Sequence, residues 1–313
     1  MTKSPNQQNF SELKKTLRIR SQHIQQREWI INQKRQSYST NPISTRSSLM
    51  HHQSSRSEFK FGHELKSMRK DIPFANQLED IPKLVNNLDL EWNSFQTVLD
   101  TVRRFRILLS RDTFIDRVID SGAVQYFVQY LDATHIERYC QVKKTDDEPI
   151  DPSKMHVISI HHLHALQFGV GWCITHIVSG TSVHVKYIVE TGCVPLLINL
   201  MASEDPLVRH QGIWAIGNIT NDSDAMRDYV IGLGTMNHLV KLVETDPAIP
   251  NRKKGKHDVL WLTNPSGLGV WAISSILKGN EVLEWDLVVS AIPLICQLLL
   301  NHELEVDVLI DAW

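Results

Sequence analysis

The sequence has no apolar run long enough to cross a membrane. Its longest runs, such as Pro293–Leu300, stop far short of the roughly 20 residues that a spanning helix needs, and no N-terminal hydrophobic segment resembles a signal peptide. The four cysteines, Cys140, Cys173, Cys193 and Cys296, show no paired spacing, so reduced thiols of a cytosolic or nuclear protein are expected. No nucleophile–base set is present, and Gly267-Leu268-Gly269 lacks the third glycine and preceding strand of a phosphate cradle. His161 and His164 could share a helical face, yet no carboxylate or cysteine is placed to complete a metal site. The chain is therefore expected to be neither an enzyme nor a cofactor or metal protein.

Charge is almost balanced overall but unevenly placed. Residues 1–70 hold 14 Lys and Arg against 4 Asp and Glu, and the remainder holds 19 against 31. A basic arm on an acidic body suggests a body that binds basic segments and an arm that binds an acidic partner. No aromatic or zinc-type recognition module accompanies the arm, so nucleic acid is not expected as its partner.

What the sequence does have is a repeat. Trp172, Trp214, Trp271 and Trp313 are spaced by 42, 57 and 42 residues. The long interval fits one period plus an insert at Ile249–Leu262. Between the tryptophans a second pattern recurs at Gly122-Ala123-Val124, Gly192-Cys193-Val194, Gly234-Thr235-Met236 and Ala291-Ile292-Pro293. Glycine suits the left-handed exit of a short helix, with the next helix starting beside it. Around Trp214, Asp205-Pro206 predicts a capped helix entry, and Ile213, Ile216 and Ile219 form a stripe expected to be buried. Trp214 and Asn218 stand one turn apart on a neighbouring face. A helical period near forty marks armadillo or HEAT repeats, in which no unit buries its apolar face alone.

The stretch Trp214-Ala215-Ile216-Gly217-Asn218-Ile219-Thr220-Asn221-Asp222 resembles the third-helix signature of the importin-α family, Trp-Ala-Leu-x-Asn-Ile-Ala followed by Gly-Asp. Trp172-Cys173-Ile174-Thr175-His176-Ile177-Val178 followed by Ser179-Gly180-Thr181-Ser182 repeats it more loosely, and Val183–Val243 is similar to the family's central repeats. The likeness runs from about Trp92 to Trp313. It implies an all-α fold: an armadillo-repeat right-handed superhelical solenoid of about four repeats, preceded by a basic, largely disordered N-terminal arm. The expected organisation is an importin-β-binding-like arm over 1–35, a flexible Ser/Thr-rich linker over 36–75, and the armadillo domain over 76–313. The domain is expected to be incomplete at its C-terminus, leaving an uncapped stacking face.

The resemblance also implies a function, that of a nuclear import adaptor shuttling between cytoplasm and nucleus. Its partners would be cargo proteins carrying Lys/Arg-rich localisation signals, and importin-β, with neither nucleic acid nor membrane bound directly. In the family an extended signal lies in the concave groove, its lysine stems held between tryptophans and its backbone gripped by asparagines. Position by position, the cargo-binding candidates are Trp172, Gly180, Gln211, Trp214, Asn218, Asp222 and Trp271. For importin-β they are Lys14, Lys15, Arg18, Arg20, Arg27, Lys34 and Arg35, with Leu13, Leu17 and Ile24 interleaved at helical spacing. The pattern also departs from the family. His176 and Ser275 replace asparagines, Val185 replaces a threonine, Leu268 replaces an asparagine, and the arm is sparser in arginine. An armadillo scaffold with a degraded groove is the alternative. Residues 141–158, acidic and proline-containing, are expected to form a surface loop.

Overall fold

The computed structural model describes residues 81–110, 114–145, 148–245, 265–278, 283 and 285–300. The basic arm over 1–35, the linker over 36–75 and the insert at Ile249–Leu262 lie outside the described residues.

The described chain is a run of short helices in a repeating order. Helices α1 (Ile81–Asn86) and α2 (Phe95–Leu109) begin it, followed by α3 (Ile115–Asp120), α4 (Ala123–Gln129) and α5 (Ala133–Tyr139). Two strands, β1 (Cys140–Lys143) and β2 (His156–Ser159), precede the long helix α6 (Ile160–Val178). The next unit is α7 (Ser182–Glu190), α8 (Val194–Leu200) and α9 (Pro206–Thr220), and the one after is α10 (Asp224–Gly232), α11 (Thr235–Thr245) and α12 (Pro265–Leu277). A last unit opens with α13 (Trp285–Val288), a 3-10 turn (Val289–Ala291) and α14 (Ile292–Leu300).

Local chemistry sets the boundaries. Asp205 caps α9 by accepting from the N–H groups of Leu207 (2.8 Å) and Val208 (3.2 Å), with Pro206 at the first helical position. Ser94 caps α2 and Ser159 caps α6 in the same way. Gly122, Gly192 and Gly234 join the first helix of a unit to the second with φ of 80°, 75° and 76°. A Cβ there would meet nothing within 4 Å, so the left-handed backbone alone selects glycine. In the last unit Ala291 stands at this place, and no non-glycine residue among those described has positive φ. That corner is built as the 3-10 turn instead.

The third helices stack in register, α6 against α2, α9 between α6 and α12. Ile213, Ile216 and Ile219 are fully buried, as their spacing predicts. One apolar core runs from Ile81 to Leu298, spread along the stack. Near its start the Tyr130 hydroxyl donates to the Leu88 carbonyl and accepts from the Leu90 N–H at 3.2 Å. Burial pushes that phenol well above the usual tyrosine range. No single helix among the described residues is long and apolar enough to cross a membrane.

The segment expected as a surface loop is more ordered than that. β1 and β2 pair in parallel, Cys140 opposite His156 through Lys143 opposite Ser159. Parallel pairing needs a connection of about a dozen residues, which 144–155 supply. Gln141 ties the connection down, donating to the Pro149 carbonyl (2.6 Å) and accepting from the Asp151 N–H (2.7 Å). The four-residue strands carry too little alternation to be legible in sequence.

Candidate functional site: the row of third-helix tryptophans

The helix ends place the tryptophans. Trp172, Trp214 and Trp271 each stand six residues before the last residue of their helix, at Val178, Thr220 and Leu277. Equal register on stacked, parallel-running helices puts them in one row along one face of the stack. Their surroundings differ.

Trp214 is half-buried, with His210 edge-on at 5.2 Å between ring centroids. Gln211, one turn before it, is 3% exposed, and its Oε1 has no hydrogen-bond partner within the chain. The Nδ2 of Asn218, one turn after it, is likewise buried and without a partner. Buried amide atoms are normally paired, and here the Gln211 Oε1 and the Asn218 Nδ2, beside a half-open indole, are not. Asp222 lies two residues beyond the end of α9, half-buried, and accepts from the Ser182 hydroxyl at 2.7 Å. That single contact leaves the carboxylate capacity for a cation.

Trp271 lies against the backbone of α9. A Cβ on Gly217 would stand 2.1 Å from its ring, so glycine is required there for contact. Ser275 occupies the position equivalent to Asn218 and is used internally. Its hydroxyl donates to the Trp271 carbonyl at 2.9 Å and meets the Asn221 side-chain amide at 3.0 Å.

Trp172 is the enclosed member, 9% exposed. The His176 ring stacks on it at 3.6 Å and 30°. The Arg106 guanidinium, carried by α2, lies 5.0 Å from its centroid and 4.8 Å from that of Phe168, one turn earlier on α6. Gly169 makes room for this arrangement, since a Cβ there would collide with Val102 and touch the Arg106 stem. Burial pushes the neighbouring Cys173 thiol up to about 12, against the opposing pull of Arg106. Sequence reading missed Arg106, because it belongs to a helix without the Trp and Asn signature and lies far upstream.

The remaining candidates have structural surroundings. A Cβ on Gly180 would meet the His184 ring at 2.3 Å. The His184 Nδ1 accepts from the Thr181 N–H (3.1 Å), so its proton sits on Nε2, which faces Asp116 at 2.8 Å. Val185 is fully buried and Leu268 nearly so. His161 and His162 are exposed, and His164 faces Asp205 at 3.9 Å. No cluster of three metal-ligating side chains exists among the described residues. Lys14, Lys15, Arg18, Arg20, Arg27, Lys34 and Arg35 lie outside them.

Residues 181–221, which contain α7, α8 and α9, match the family model of the Armadillo/beta-catenin-like repeat. Importin subunit alpha-2 of Arabidopsis thaliana is 30% identical over 238 residues, 75% of this chain and 36% of that protein. Importin subunit alpha-5 of the same plant is 31% identical, covering 77% of this chain and 38% of its own length. A probable importin subunit alpha-A of Dictyostelium discoideum is 26% identical over 76% of the chain. The chain thus spans well under half the length of these relatives. Among solved structures, a designed armadillo repeat protein in complex with the peptide (KR)4 superimposes with a TM-score of 0.55 at 19% identity, over 86% of this chain and 97% of that one. Computationally designed armadillo repeat proteins for modular peptide recognition give 0.55 at 17% identity. At such identities the structural likeness concerns the fold. Taken with the sequence matches across three quarters of its length, the repeat geometry makes this chain an armadillo-repeat protein that is similar in sequence to the importin-α subunits.

Proposed function

We propose that this protein binds extended Lys/Arg-rich segments along the tryptophan row, as a nuclear import adaptor does, and offers its basic arm to importin-β. The observation that carries this reading is the Trp214 turn, where a half-open indole is flanked by the unpaired Oε1 of Gln211 and Nδ2 of Asn218, with Asp222 beyond. An extended peptide presents backbone N–H and C=O groups at matching intervals, and each hydrogen bond is worth roughly 1 kcal/mol. A lysine stem packs on an indole face while its head remains free to meet a carboxylate, and the cation–π attraction adds about 0.5–2 kcal/mol. The excess of acidic residues after position 70 attracts the same ligands at longer range. The designed relative in complex with (KR)4 supports the idea that this fold accommodates such a peptide.

Binding of a fluorescent (Lys-Arg)4 peptide to the full chain, followed by anisotropy, tests the groove. Affinity should fall steeply with salt, and Asp222→Lys should abolish it by exchanging attraction for repulsion. For the arm, full-length protein should retain importin-β at low salt, and a version lacking 1–35 should not. A second reading is a scaffold whose groove no longer reads basic signals. It draws support from Ser275, which spends its hydroxyl internally, and from the enclosure of Trp172. Absence of salt-sensitive peptide binding would decide for the scaffold.

A further inference from the structure

The third helices have one more position in common. Arg106, Thr175, Gly217 and Ser274 each stand three residues before the last residue of α2, α6, α9 and α12. From this place a side chain faces the next third helix. Gly217 meets the ring of Trp271, and the Thr175 hydroxyl reaches the Gln211 carbonyl at 3.4 Å. Three of the four residues are small. Arg106 is the exception, and its guanidinium shares the space between the rings of Phe168 and Trp172. It is 5% exposed, and His176 lies stacked on Trp172 at 3.6 Å.

We propose that Arg106 is a built-in occupant of the first tryptophan slot and a specificity-determining residue. It supplies from within the chain the cation that the Trp172 turn would otherwise take from a ligand. A cation over an indole is the interaction a basic peptide would seek there, and an intramolecular cation held by its own packed helix competes at high effective concentration. The ligand register therefore begins at Trp214, and the preferred ligand is a short basic segment that places its lysine or arginine stems against Trp214 and Trp271. The size of Arg106 sets this choice, since a residue as small as its three counterparts would leave the slot open.

This inference rests on the peptide-binding reading for its consequence, while the slot itself can be tested separately. Arg106→Thr, with the residue that α6 carries at the same position, should bind the (Lys-Arg)4 peptide about tenfold more tightly than wild type, and the gain should vanish in Arg106→Thr/Trp172→Ala. Wild-type binding that Arg106→Thr leaves unchanged overturns the proposal. If neither protein binds the peptide, the adaptor reading falls and the second measurement decides. Millimolar methylguanidinium should raise the Tm of Arg106→Thr by several degrees, with no rise for wild type or the double variant, and methylurea should be inert. Equal responses in all three proteins overturn the proposal. Should Arg106→Thr fail to fold, Arg106→Lys is compared with Arg106→Met. The lysine variant, which keeps the cation, should melt close to wild type and the methionine variant clearly lower, and equal melting overturns the proposal.

Discussion

Two turns of the same solenoid, around Trp172 on α6 and around Trp214 on α9, carry an indole at the same helical register and use it differently. At Trp172 the row reads Phe168, Trp172, His176, and the aromatic faces are spent on each other and on Arg106. At Trp214 the row reads His210, Trp214, Asn218, with the histidine edge-on and the amide nitrogen of Asn218 left unpaired. Burial follows, 9% exposure for Trp172 against a half-buried Trp214. The Trp172 indole is thus covered by its own neighbours, and the Trp214 indole is left half-open. The residue that the preceding third helix contributes differs between them, Arg106 against Thr175.

The comparison breaks most severely if that residue is transplanted. Gly217→Arg places at the α9–α12 junction what Arg106 is at the α2–α6 junction, but here even a Cβ would stand 2.1 Å from the Trp271 ring. Overpacking should cost about 3 kcal/mol, which corresponds to a loss of roughly 10 °C in Tm for a domain of this size, readable by thermal denaturation. Making the enclosed turn resemble the open one is a gentler change. His176→Asn, made together with Arg106→Thr so that the slot is open, removes the ring stacked on Trp172 and supplies a backbone grip. Peptide affinity should rise severalfold over Arg106→Thr alone, measured by anisotropy. Smallest is the effect on the thiols. Burial pushes Cys173 up to about 12 and Cys193 and Cys140 up to about 11, whereas Cys296 is exposed. Since the thiolate is the reactive form, a disulfide reagent at pH 8 should label Cys296 quickly and the other three only on unfolding.

Much of the scaffold was legible because it is periodic. Trp spacing gave the repeat, Asp205-Pro206 the entry to α9, and the Gly122, Gly192 and Gly234 corners the turns between helices. Each of these signals lies within a few residues of the structure it encodes. What stayed hidden depends on pairs distant in sequence. Arg106 meets Trp172 across a helix pair, a parallel β-pair spans a twelve-residue connection, and the corner at Ala291 replaces glycine by tightening into a 3-10 turn. Ser275 shows the same limit: its position predicts a lost grip, but only the fold shows its hydroxyl engaged with Asn221 and the Trp271 carbonyl.

On the proposed function, the open Trp214 turn binds the ligand and the enclosed Trp172 turn does not. Titration of the full chain with labelled (Lys-Arg)4, comparing Trp214→Ala with Trp172→Ala and checking both folds by circular dichroism, tests it directly. Trp214→Ala should weaken binding tenfold to a hundredfold, about 1–3 kcal/mol. Trp172→Ala should cost mainly thermal stability, through its lost core packing, and shift affinity less than threefold. An equal or larger loss of affinity in Trp172→Ala would contradict it.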